Sequence, residues 1–207
     1  MFHNMRNRPI SGTNELRAVV ELIRQRLPDG WGVELGAVRD GRRDIVIEAP
    51  DGRRAGLEVR WRRTVVPKDV PSLARGDTGV GGVLLAAPFL SPRAREILAG
   101  MGVSFADSTG NLRLSLSDPA VYLETQGEDR DPERSPRALK SLKGAVAGRV
   151  VRGLCDFRPP FGVRELADLA AAPLGTVSRV VTFLEQEALL TRDARKQIAA
   201  VSWAMLV

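Results

Sequence analysis

Apolar residues recur at helical spacing near the start of the chain, at Leu16, Val19, Val20, Ile23 and Leu27. Pro28-Asp29-Gly30 ends the run, so the pattern predicts an amphipathic helix after a polar tail reaching Ile10. The period then shortens. Trp31 to Val38, Asp44 to Ala49 and Leu57 to Trp61 read as strands, the last two joined through the turn Pro50-Asp51-Gly52-Arg53. Val80 to Ala86 is almost continuously apolar, as expected of a central strand buried on both faces. Ser91-Pro92 opens a helix reaching about Met101, because proline is tolerated in a first helical turn. Val103 to Ala106, Asn111 to Leu116 and Val121 to Thr125 are short strand candidates. This order predicts an α/β sandwich around a mixed sheet over residues 1–127.

Gly127 to Pro136 offers no apolar side chain able to join a core and contains Pro132 and Pro136. Residues 128–135 therefore read as an exposed linker between two domains. From Pro136 the spacing is helical again, with Leu139, Leu142, Val146, Val150 and Leu154 in one stripe ended by Pro159-Pro160. Gly144, Gly148 and Gly153 weaken that helix by about 1 kcal/mol each, so it depends on packing. Val163, Leu166, Ala167 and Ala170 mark a second helix, and Ala171-Ala172-Pro173 a tight turn. In a third helix, Leu174 to Glu187, the residues Leu174, Val177, Val180, Val181, Leu184 and Ala188 fall within an arc of about 120°. Gly175, Arg179, Thr182 and Gln186 lie opposite, Thr176 and Ser178 flank them, and Phe183, toward the exposed side, is expected to pack on a neighbouring element or subunit instead of touching DNA. Strands Leu189 to Arg192 and Gln197 to Val201 then flank Asp193-Ala194-Arg195-Lys196, a turn with a basic tip. The predicted class is α+β: an N-terminal α/β sandwich and, over 136–207, a winged helix-turn-helix.

Charge sharpens this division. The net charge of +6 over 207 residues favours polyanionic partners, although 27 Arg against 4 Lys also reflects a general arginine bias. Residues 1–127 hold 18 Lys and Arg against 15 Asp and Glu, whereas 134–207 hold 12 against 6. The excess sits where the helical pattern is. No stretch is apolar and long enough to span a bilayer, and Met1-Phe2-His3-Asn4 lacks the layout of a signal peptide. A single cysteine, Cys155, allows no intrachain disulfide, in line with a reducing, cytoplasmic setting.

Val163-Arg164-Glu165-Leu166-Ala167, then Thr176-Val177-Ser178-Arg179 and Leu184-Glu185-Gln186-Glu187-Ala188-Leu189-Leu190, resembles the winged helices of the MarR and IclR regulator families. That resemblance implies double-stranded DNA as partner. A recognition helix would present Thr176, Ser178, Arg179, Thr182 and Gln186 to the major groove, and Arg192, Arg195 and Lys196 would surround a wing tip directed at phosphates. Gly175 at the helix start and Ala172 in the turn depart from the commonest residues there.

Two further resemblances concern the N-terminal domain. Asp44, thirteen residues, then Glu58-Val59-Arg60 resembles the signature of the restriction-endonuclease-like fold. In that fold Asp44 and Glu58 would hold Mg²⁺ and Arg60 would take the lysine position. An arginine there departs from the pattern, because a guanidinium keeps its proton and is a broad fork. The alternative is a hairpin in which Arg60 or Arg62 neutralises facing carboxylates. Gly102 to Leu112, including Asp107-Ser108-Thr109-Gly110-Asn111, resembles a segment of antitoxins related to the abortive-infection type IV system, which implies repression and a toxin-like protein partner. By their residue types alone, Asp107 and Asn111 are turn residues around a left-handed Gly110. Val201 to Val207 reads as the start of another helix, so related chains would continue further.

Other chemistries have little support. His3 is the sole histidine, no Cys/His cluster suits zinc, and Gly79-Val80-Gly81-Gly82 lacks the Lys-Ser/Thr of a phosphate loop. The leading expectation is a sequence-specific DNA-binding transcriptional regulator, a repressor or antitoxin-like protein, with neither catalytic residues nor cofactor. A Mg²⁺-dependent nuclease using Asp44, Glu58 and Arg60 is one competitor. An antitoxin or adaptor acting through protein contacts is the other, and homodimerisation stays open.

Overall fold

A computed structural model describes residues 13–39, 42–75, 82–133, 142 and 144–205. The tail to Ile10 and the run Pro136 to Leu139 lie outside the described residues. The chain divides into two compact units, one formed by residues up to Val65 with Asp69–Asp131, the other by Val66–Lys68 with Pro132 onward.

The first unit is built on a seven-stranded mixed sheet whose strands lie in chain order. Helix α1 (Thr13–Arg24) precedes β1 (Gly32–Arg39), β2 (Arg42–Glu48) and β3 (Arg54–Trp61), an antiparallel meander. A 3-10 turn (Pro67–Asp69) and α2 (Val70–Ala74) lead to β4 (Val83–Ala87), parallel to β3. Helix α3 (Pro92–Gly100) then leads to β5 (Ser104–Asp107), parallel to β4, and β6 (Leu112–Ser117) and β7 (Ala120–Thr125) close the sheet antiparallel. Leu16, Val19, Val20 and Ile23 of α1 cover one face, where Ile45, Ile47, Leu57, Val59, Leu84 and Ala86 are buried. Helices α2 and α3 cover the other, over Leu85, Ala87 and Phe105. Successive β4 side chains thus enter different cores, which explains why that strand is apolar throughout. As expected, Ser91 caps α3, its Oγ accepting from the Ala94 amide at 3.2 Å.

The second unit contains α4 (Ala145–Asp156), α5 (Val163–Leu169), α6 (Leu174–Gln186), β8 (Leu190–Arg192) and β9 (Ile198–Val201). Val150, Leu154, Leu166, Ala167, Val177, Val180, Val181, Leu184 and Ile198 form one buried cluster. Gly153 permits the α4–α5 approach: a Cβ there would stand 3.2 Å from Leu166 Cδ1. Four residues separate α5 from α6, and the two axes turn through 116°. Phe161, just before α5, pairs with Ile198 and adds a third short strand segment beside the hairpin.

Two sequence expectations need correction here. Leu174, placed inward by its helical angle, is exposed (44 %). It lies in the first turn, where the helix has run past the edge of the core. Phe183 is half-buried and packs against the same core, as expected. Val201 ends a strand, and the helix expected to start there is, within the described residues, one 3-10 turn, Trp203–Met205. Trp203 Nε1 fixes that turn by donating to the Leu154 carbonyl at 2.8 Å. No single helix among the described residues is long and apolar enough to cross a membrane.

Candidate nucleic-acid interface

Helix α6 starts without a side-chain cap; the Pro173 carbonyl accepts from Thr176 N at 2.8 Å and Val177 N at 3.1 Å. Burial of Val177, Val180, Val181 and Leu184 against α4 and α5 fixes which side remains outside. Gly175, Ser178, Arg179, Thr182 and Gln186 are all exposed or half-exposed along one side of the helix, with Thr176 at its margin. Arg179 Nε donates to the Gly175 carbonyl at 3.1 Å, so its guanidinium lies over the first turn, held by one exposed hydrogen bond.

The hairpin tip is organised by Asp193. Its Oδ1 accepts from the Arg195 and Gln197 amides, both at 2.9 Å, and its carbonyl from Lys196 N at 2.9 Å. Lys196 takes the left-handed conformation at φ 62°, and both Arg195 and Lys196 stand exposed. Arg192 is placed differently from the expected tip position. A strand irregularity between Thr191 and Arg192 accompanies a side chain that reaches Glu185 at 3.2 Å and Thr182 Oγ1 at 3.2 Å on α6. Arg192 therefore tethers the hairpin to the helix. An arginine that sequence reasoning missed, Arg149, donates to the carbonyls of Ala170 and Ala171, each at 3.1 Å, and caps the end of α5. Nothing in the local pattern marks it, because its acceptors lie more than twenty residues away.

In the first unit Asp44 and Glu58 are register partners on adjacent strands, and Arg60 follows on the same face, as the spacing predicted. Arg60 Nε meets Glu58 Oε1 at 2.9 Å, and a terminal nitrogen lies 3.4 Å from Oε2. The other terminal nitrogen reaches the carbonyls of Leu73 at 2.8 Å and Arg75 at 2.5 Å, at the end of α2. Both Glu58 oxygens thus face a guanidinium, and no group of three or more His, Cys, Asp or Glu that would hold a metal ion gathers among the described residues. Arg60 thus pairs with Glu58 and braces β3 to the end of α2. Arg62 instead bonds the neighbouring Trp61 carbonyl at 2.8 Å. Arg60→Met removes the donors to both carbonyls and takes the guanidinium away from Glu58, so it is expected to cost about 2–4 kcal/mol. Glu58→Gln keeps an acceptor and is expected to cost about 1 kcal/mol. Urea denaturation of both variants checks that order, and equal losses would contradict the brace.

Asp107 and Asn111, read as turn residues, are also the most buried polar pair described, at 1 % and 0 % exposure. Gly110 between them has φ 100°, as the turn requires. Asn111 Oδ1 accepts from Gly127 N at 2.8 Å and from an Arg95 terminal nitrogen, and Nδ2 donates to the Glu128 carbonyl at 3.0 Å. Asp129 pairs with Arg95. Residues 127–129, expected to open a free linker, are therefore anchored to the β5–β6 turn and to α3. The approach is close: a Cβ on Gly127 would fall 2.2 Å from the Thr109 carbonyl oxygen.

No protein-family model matches this chain, and neither does any curated protein or solved structure.

Proposed function

We propose that the chain is a cytoplasmic, sequence-specific DNA-binding transcriptional regulator, acting as a repressor through a C-terminal winged helix-turn-helix. The observation that carries this reading is the polar stripe of α6, Ser178, Arg179, Thr182 and Gln186, beside a hairpin whose tip exposes Arg195 and Lys196. Two helices turning through 116° across four residues have the proportions of a helix-turn-helix, and the excess of basic residues falls in this part of the chain. In this reading α6 enters the major groove and the tip contacts phosphates. Titration of the full chain on a random-sequence duplex over a range of salt tests it. Each neutralised phosphate releases counterion, so Arg195→Ala flattens the slope of log K against log salt by about 1. Arg192→Ala leaves that slope unchanged, since its guanidinium is spent on Glu185 and Thr182. An unchanged slope for Arg195→Ala would remove the tip from the interface.

For the N-terminal unit we favour a restriction-endonuclease-like fold without its chemistry. The β1–β3 meander, the parallel β4 and the Asp44–Glu58 register pair support the fold, whereas the Arg60 brace occupies the acidic site. Mg²⁺-dependent DNA cleavage abolished by Asp44→Ala and by Glu58→Ala would restore the nuclease reading.

A further inference from the structure

A groove of about 610 Å³ opens in the first unit between α3 and the end of β7. Its apolar side is formed by Pro92, Ala99 and Phe105, and its polar side holds Arg95, the one cation among its lining residues, with Glu96, Glu124 and Asp129. That volume lies in the range of small-molecule sites. The three carboxylates differ in where their partners stand. Glu96 pairs with Arg93 one turn away on α3 at 2.7 Å, and Glu124 with its strand partner Arg113 at 3.1 Å. Asp129 instead lies beyond β7 on irregular chain, with 57 % of its side chain exposed, and pairs with Arg95. Arg95 itself is only 13 % exposed and is held from behind by the side-chain Oδ1 of Asn111. The guanidinium is therefore fixed while its carboxylate partner is replaceable.

We propose that this groove binds a small organic carboxylate, which takes the place of Asp129 on Arg95 and lays its apolar body on Pro92 and Ala99. The exchange swaps one carboxylate for another on a preset guanidinium. Once Asp129 is displaced, the cation left for a ligand to meet is Arg95, the one cation lining the groove. Displacing Asp129 also frees one of the bonds that anchor 127–129, so occupancy and the state of that segment are coupled. This inference stands on the N-terminal unit alone and does not depend on DNA binding.

Isothermal titration of the full chain with hexanoate, acetate and hexylammonium tests it. Hexanoate is expected to bind with a dissociation constant of roughly millimolar size or below, and acetate at least about ten-fold more weakly. Hexylammonium, with a similar body and the opposite charge, is expected to show no saturable binding. Asp129→Asn removes the competing carboxylate at an exposed position and should tighten hexanoate about two- to five-fold; Arg95→Gln should weaken it about ten-fold or more. Absence of saturable hexanoate binding, equal binding of hexylammonium, or an Asp129→Asn affinity that stays the same or falls would each overturn the proposal.

Discussion

Asp107→Ala is expected to lower the stability of the N-terminal unit by about 3–5 kcal/mol, among the larger effects of a single substitution. Its carboxylate is buried and accepts from Leu90 N, Thr109 N, Thr109 Oγ1, Asn111 N and Asn111 Nδ2, at 2.7–3.1 Å. Those donors come from the loop before α3 and from the β5–β6 turn, so this one side chain ties two connections together. Alanine leaves several of them without an acceptor where water cannot enter, and each such orphan costs about 1–3 kcal/mol. The neighbouring Ser108 is exposed, and Ser108→Ala should change stability by less than about 0.5 kcal/mol. Urea unfolding monitored through the fluorescence of Trp31 and Trp61, both in this unit, measures the difference. A loss below about 1 kcal/mol for Asp107→Ala would mean that the network is replaceable by solvent.

The largest functional effect is expected at Arg179. On a cognate site Arg179→Ala should weaken binding by about 1–3 kcal/mol, roughly 5- to 150-fold, and relax the preference at one base pair. The guanidinium is exposed in the first half of α6 and gives up only its bond to the Gly175 carbonyl on meeting a base. Bidentate contact with guanine O6 and N7 more than replaces that exposed bond. Arg179→Lys keeps the charge and loses the fork, so it should retain affinity for random duplex while losing discrimination. Competition binding with cognate and random duplexes separates the two contributions. Equal losses on both duplexes from Arg179→Ala would show that this side chain does not read bases.

Most elements were legible because their cause is local. Alternation marks β2 and β3, and the unbroken apolar run marks β4, since burial on both faces leaves no polar position. Helix α2 escaped notice: it spans five residues behind a 3-10 turn, and with Pro67 and Pro71 it is too short to show a helical period. The wheel for α6 identified Val177, Val180, Val181 and Leu184 correctly but could not know that the core ends before Leu174. The candidate interface was visible as polar spacing, whereas the diversion of Arg192 to Glu185 depends on a strand irregularity that no pattern encodes. Asp107 and Asn111 were recognisable as turn formers. Their burial was not, because it is imposed by Leu90, Gly127 and Glu128 from connections elsewhere in the unit.

Whether this chain recognises a DNA sequence is decided by selecting genomic DNA fragments with the full chain. The enriched sequence and its scrambled version are then titrated at one fixed salt concentration. One enriched motif is expected, bound at least about 10³-fold more tightly than the scrambled duplex, with Arg179→Ala erasing much of that ratio. No enriched motif, or equal affinity for the two duplexes, would contradict sequence-specific binding.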